Sequence, residues 1–163
     1  METDLTSIII GLASLATFFV PIGIYQHHEK KTKKDSIKHF MKIAAEIGFQ
    51  TGEIEVLRNH AAIGLGKNGE QLLYVIGTQY KLIELTKVAD CTVYKKNKKN
   101  PESELERIYQ IGVRLQLENG ESINLTVFEG NEGTLFGDER LIAQQWISNI
   151  RKAQKQLSTA ASV

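Results

Sequence analysis

Four histidines, one cysteine, a glycine string and two lysine clusters are the residues of this 163-residue chain whose types could carry chemistry. His27, His28, His39 and His60 have no metal-ligand spacing with one another, with Cys91 or with carboxylates, so neither a metal nor a cofactor is expected. Cys91 stands in step with Val93 on one strand face. As the only cysteine it cannot form an intrachain disulfide, and it fits a buried, inert thiol in a reducing compartment. Gly64-x-Gly66-x-x-Gly69 matches the dinucleotide fingerprint as a string, yet it falls in a strand and turn with no helix behind it to receive a phosphate. With no catalytic constellation among these residues, the chain is not expected to be an enzyme.

The lysines carry charge rather than reactivity. Lys30, Lys31, Lys33 and Lys34 form one cluster, and Lys95, Lys96, Lys98 and Lys99 form a second, expected at the tip of a long hairpin before Pro101. Clusters of this kind can hold anionic lipid headgroups, a phosphorylated group or an acidic partner by simple charge, and both are candidate membrane-surface or partner contacts. A solvated surface is the plainer reading of each, and Glu102, Glu104 and Glu106 partly offset the second. With 20 basic against 19 acidic residues and a net charge of +1, the chain lacks the basic excess of a nucleic-acid binder.

On the amino-terminal side of the first cluster, Leu5 to Tyr25 contains no charged residue. At about 1.5 Å per residue it gives about 31 Å of helix, which matches a hydrocarbon core of about 30 Å. Its acidic start, its length and the lack of a small-x-small site separate it from a cleaved signal peptide. A single membrane span is therefore expected. Lysines follow it and none precede it, so the amino terminus is expected outside and the remainder in the cytoplasm. The lipid bilayer is accordingly an expected partner.

Beyond a tether over Gln26 to Lys34, the spacing of Ile37, Phe40, Met41, Ala44 and Ile47 predicts an amphipathic linker helix from Asp35 to Phe49, ended by Gly48 or Gly52. From His60 the texture becomes short β-branched and aromatic runs, separated by Gly and Asn. Strands are predicted at Ala61–Leu65, Gln71–Ile76, Tyr80–Leu85, Val88–Tyr94, Leu105–Leu117 and Ser122–Phe128, with turns at Lys67-Asn68-Gly69 and Gly77-Thr78-Gln79. The last two runs fix their own register. A two-residue Asn119-Gly120 loop would put their apolar residues on opposite faces, whereas a three-residue Glu118-Asn119-Gly120 loop pairs Leu115 with Ile123 and Val113 with Leu125. A closing helix is predicted over Asp138 to Leu157, with Ile142, Trp146, Ile150, Ala153 and Leu157 as its stripe, widened by Ala143 and Ile147.

The turn at Lys67-Asn68-Gly69, the run Tyr80-Lys81-Leu82-Ile83-Glu84-Leu85, then Val88-Ala89-Asp90-Cys91 and Gln144-Gln145-Trp146 resemble, in order, the membrane-anchored bacterial proteins with a pleckstrin-homology-like domain. The resemblance covers roughly residues 55 to 155 and carries no catalytic signature. It implies an α+β architecture: one amino-terminal transmembrane helix, a linker helix, then an antiparallel β-barrel of six to seven strands closed by a carboxy-terminal helix. Thr134-Leu135-Phe136 is the candidate seventh strand. The divisions are an anchor over 1–25, a basic tether and helix over 26–53, the barrel domain over 54–157 and a tail over 158–163. The implied role is a binding or scaffolding module at a membrane surface, with a protein partner or anionic lipid headgroups as ligand. The alternative is an accessory subunit of a membrane complex, contacted through its transmembrane helix.

Overall fold

Glycine turns and period-two alternation divide residues 51–129 into seven strands. The computed structural model describes residues 17, 27, 30–100, 103–130 and 137–160. The chain falls into two compact units, Met1–Asp35 and Ser36–Val163. Residues 30–46 are helical (α1), so helix already begins within the stretch expected to be a tether. Strands β1 (Thr51–Val56), β2 (Ala62–Gly66), β3 (Gln71–Ile76) and β4 (Gln79–Glu84) follow, then a 3-10 turn over Leu85–Lys87. Strands β5 (Val88–Asn100), β6 (Ser103–Leu117) and β7 (Ser122–Glu129) lead to helix α2 (Glu139–Ala160).

The strands make two antiparallel sheets, one ordered β1-β2-β3-β4 and one ordered β5-β6-β7. The expected closed barrel is therefore corrected: no ladder joins the sheets among the described residues. Side chains hold the two seams instead. Where β4 passes to β5, the carbonyls of Leu85 and Val88 accept from Gln154 Nε2 of α2 at 3.0 and 2.6 Å. On the other side, the Thr126 carbonyl of β7 accepts from Tyr74 Oη at 2.8 Å and Asn59 Nδ2 at 2.9 Å. These bonds run from side chains to backbone oxygens at the two seams, where no strand ladder crosses among the described residues.

The expectation of a single-pass membrane protein, cytoplasmic beyond its span, is corrected as well. No helix among the described residues is long and apolar enough to cross a membrane. Leu5 to Tyr25 itself lies outside the described residues, apart from Thr17. The transmembrane helix of the expected fold is thus absent from the described architecture, as is the barrel.

The seventh strand is β1, which precedes the first strand predicted, whereas Thr134-Leu135-Phe136 lies outside the described residues. The hairpin register of β6 and β7 agrees with the period-two argument: Val113 pairs with Leu125 and Leu115 with Ile123. Gly120 closes the three-residue loop at φ +88°, a left-handed conformation that suits glycine.

Two hydrophobic clusters fill the second unit. Between the sheets, Ile63, Leu72, Ile83, Val113, Leu115, Leu125, Trp146 and Ile150 belong to the main core. Trp146 is fully buried and donates from Nε1 to Glu55 Oε2 of β1 at 2.5 Å. Ala143, Ile150 and Ala153 are buried beside it, as the predicted stripe requires. A smaller cluster lies on the opposite face of the first sheet, where Phe40, Ile43 and Ala44 of α1 meet Phe49, Ala62, Leu73 and Val75. Phe40 sits against Gly64, where an added Cβ would come within 2.8 Å of its ring.

The linker helix thus packs on the sheet, but its buried stripe is rotated from the predicted one. Ile43 is buried, whereas Ile37 and Met41 are 37% and 46% exposed. Gly48 at φ +71° ends the helix, with Phe49 N donating to the Ala44 carbonyl at 2.8 Å and Gly48 N to the Ala45 carbonyl at 3.3 Å. These bonds make a Schellman motif, which turns Phe49 back onto Phe40 with ring centroids 6.2 Å apart.

Candidate functional site

The β3–β4 hairpin supplies a candidate surface. Ile76 pairs with Gln79 across a two-residue Gly77-Thr78 loop, with Gly77 at φ +54°. A loop of this length closes on a hydrogen-bonded pair, and bonded and non-bonded pairs then alternate. Gln79, Lys81 and Ile83 therefore bond inward to β3. The phase is confirmed at the far end, where Leu85 N donates to the Glu70 carbonyl at 2.8 Å. By the same alternation the N–H and C=O groups of Tyr80, Leu82 and Glu84 point outward. Since β4 ends the strand order, no neighbouring strand receives them among the described residues.

Side chains sharpen this edge. Tyr80 is 50% exposed and Leu82 41% exposed, on the face that α1 covers farther along the sheet. They pair with buried Val75 and Leu73, so the apolar face of the small cluster continues onto β4 without a cover. On the opposite face Ile83 enters the main core, and Lys81 lies beside Tyr74. A cleft of about 320 Å³ opens there, lined by Tyr74, Ile76, Thr78, Gln79, Tyr80 and Lys81. Lys81 Nζ reaches the Asn124 carbonyl at a long 3.4 Å. Glu84, the only acid of β4, is held at 2.6 Å by Lys87, so among the described residues Lys81 is the strand's unneutralised charge.

Burial pushes the Tyr74 phenol up to about 12, against the opposing effect of its hydrogen bonds to Asn59 and Thr126. At neutral pH it is a protonated donor that ties the cleft floor to β7. Neighbouring Tyr94 is also raised by burial, and its hydroxyl meets Thr126 Oγ1 at 2.9 Å. Gln110 Nε2 donates to Thr126 Oγ1 at 3.2 Å, and the Arg114 guanidinium lies 5.7 Å from the Tyr94 ring centroid. Tyr94 is able to lie flat because residue 112 is glycine: a Cβ there would stand 2.6 Å from its ring and 2.1 Å from the Leu125 carbonyl oxygen. An isolated glycine inside the β6 run was the sequence signal for this close approach.

The residues singled out from sequence are dispersed. Lys30, Lys31, Lys33 and Lys34 are exposed on α1, in the first unit. Lys95 and Lys96 are exposed on β5, paired with Ile111 and Gln110. Lys98 and Lys99 are also within β5, in register with Arg107 and Glu106. The second cluster lies on the last paired residues of β5, next to the reversal of a long β5–β6 hairpin whose ladder runs on to Asn100 and Ser103. His39 Nε2 meets the Gly77 carbonyl at 2.8 Å, and His60 is exposed at φ +61°. Cys91 is buried, its thiol pushed up by burial against the lowering influence of Arg151. No group of histidine, cysteine and carboxylate side chains suited to a metal ion occurs among the described residues.

Tyr80 and Leu82 were missed as site residues. Their signal lay in a run that places apolar residues on both faces, Tyr80 and Leu82 on one and Ile83 on the other, which an edge strand can expose. No protein-family model matches the chain, and no curated protein matches its sequence.

Proposed function

We propose that this protein is a non-catalytic binding module that captures an extended segment of a partner protein along β4. One observation carries the reading: β4 ends its sheet with no further strand paired to it among the described residues, and its outward backbone groups belong to the residues with exposed apolar side chains. Natural sheets blunt their edges with bulges, charges or covers; β4 carries a charge, Lys81, but its ladder has no bulge and no strand covers it among the described residues, so the edge remains a template for a strand that suits that charge. The β3–β4 register runs unbroken from Gln71↔Glu84 to Ile76↔Gln79, whereas the ladders of β1, β5 and β7 each contain a shift.

The test is site-specific photocross-linking in cells. A photoreactive residue in place of Leu82 is expected to capture one partner within an extended stretch of its chain, while the same residue in place of exposed Leu141 on α2 does not. Equal capture at both positions, or none at Leu82, contradicts the proposal.

A further inference from the structure

The β4 edge also specifies what kind of segment it takes, an inference that rests on the strand-addition reading above. We infer that the partner segment carries an apolar–acidic–apolar triplet, paired antiparallel with Leu82, Lys81 and Tyr80 and with its acid opposite Lys81.

The bonding phase dictates the pattern. A strand added to β4 forms its hydrogen-bonded pairs with Tyr80 and Leu82, the residues whose backbone faces outward. Side chains opposite these two project onto the face where Tyr80 and Leu82 are exposed, so apolar residues there extend the cover that α1 gives to Leu73 and Val75. The residue between them projects to the other face, beside Lys81 and the cleft floored by Tyr74. Among the described residues Lys81 is the unneutralised charge of the strand, held only by a carbonyl at 3.4 Å, well beyond the usual N–H···O distance of about 2.9 Å. A carboxylate opposite it supplies the charge-assisted partner that it lacks.

A second copy of β4 does not meet this requirement. In-phase pairing of β4 with itself sets outward residues against outward residues. With Leu82 on Leu82, Lys81 faces Ile83. With Tyr80 on Leu82, Lys81 faces Lys81. Glu84 lies three residues from Lys81, so the register that would join them is out of phase with the outward hydrogen bonds. Lys87 already occupies that carboxylate. The charge is left for a different chain to satisfy.

The experiment selects peptides from a random heptapeptide display library on the immobilised full chain, on K81E and on L82P. Proline at 82 removes an outward N–H while sparing the bonds to β3, since proline is tolerated on an edge with its nitrogen toward solvent. Circular dichroism and thermal melting of L82P establish that it remains folded. Y80K/L82K, which keeps every backbone group, serves as a second edge variant. Selected peptides are expected to carry apolar–acidic–apolar triplets, to bind K81E about tenfold more weakly and to lose binding to both edge variants. Selection on K81E should yield apolar–basic–apolar triplets. Peptides that need the edge but show no preference at the central position overturn the triplet and leave strand addition standing. Peptides that bind L82P and Y80K/L82K as well as the parent chain, or no selected peptides at all, overturn both. Self-association abolished by L82P, with no acidic peptide selected, also overturns the triplet, since it assigns the edge to a second copy.

Discussion

The first sheet has two edges, and they are treated in opposite ways. At β1 the ladder shifts between Thr51 and Ile54, and its acids are engaged by α2: Glu55 accepts from Trp146, and Glu53 lies 3.5 Å from Asn149 Nδ2. At β4 the register is unbroken, and Tyr80 and Leu82 stand half exposed. A bulge and a helix remove β1 from strand exchange, and neither device is applied to β4. Lys81 alone gives the open edge a preference of sign. An edge is thus defined by what the rest of the chain does to it more than by its own strand propensity.

The largest effect should come from unmaking the closed edge. Trp146→Ala removes a fully buried indole and leaves Glu55 without its donor, so a loss of about 3–5 kcal/mol is expected in denaturant unfolding. Less severe is Gly64→Ala, whose Cβ would stand 2.8 Å from Phe40 and 2.9 Å from the Glu53 carbonyl oxygen of β1. Overpacking of this kind costs about 1–3 kcal/mol, and a faster proteolytic release of α1 than of α2 would report it. If α1 and α2 are cut equally fast, the docking of α1 on β2 is not what that glycine serves.

Alkaline pH probes the floor under β4. The Tyr74 pKa is raised in the folded state, from 10.0 to about 12, so the stabilisation is complete below about pH 10 and is lost as pH rises toward 12. The loss should approach about 2 kcal/mol, and Tyr74→Phe should flatten that part of a melting-temperature profile. A wild-type profile that does not fall between pH 10 and 12 would mean that the phenol titrates normally. The smallest effect on stability belongs to the open edge. Replacing Tyr80 and Leu82 by lysine should change unfolding free energy by no more than about 1 kcal/mol per site, because about half of each side chain already faces water and a lysine stem can cover the rest. A large loss there would show that β4 depends on them for packing rather than presenting them.

Where the governing forces were local, the sequence could be read. Alternation in Ile111 to Leu117 and Ile123 to Val127 fixed a hairpin register, because a slip of one residue would bury the polar face. The α2 stripe was legible for the same reason. β1 was not, since Thr51-Gly52-Glu53-Ile54-Glu55-Val56 reads as polar and becomes a strand through contacts with β2 and α2. Ile37, Met41 and Ile43 all suit a helix face, and only the sheet beneath decides that Ile43 is buried. Barrel closure was misread because the two seams are held by Gln154, Asn59 and Tyr74, side chains far in sequence from the carbonyls they bind. The candidate site was legible as a strand but not as an edge, because being an edge depends on which strand fails to arrive.

Residue-resolved amide hydrogen exchange tests the central claim most directly. In the free chain, Gln79, Lys81 and Ile83 should be protected while Tyr80 and Leu82 exchange freely, and a bound peptide bearing the acidic triplet should protect the latter two. Protection of Tyr80 and Leu82 in the free chain, or continued free exchange with the peptide bound, would contradict an open edge that captures a strand.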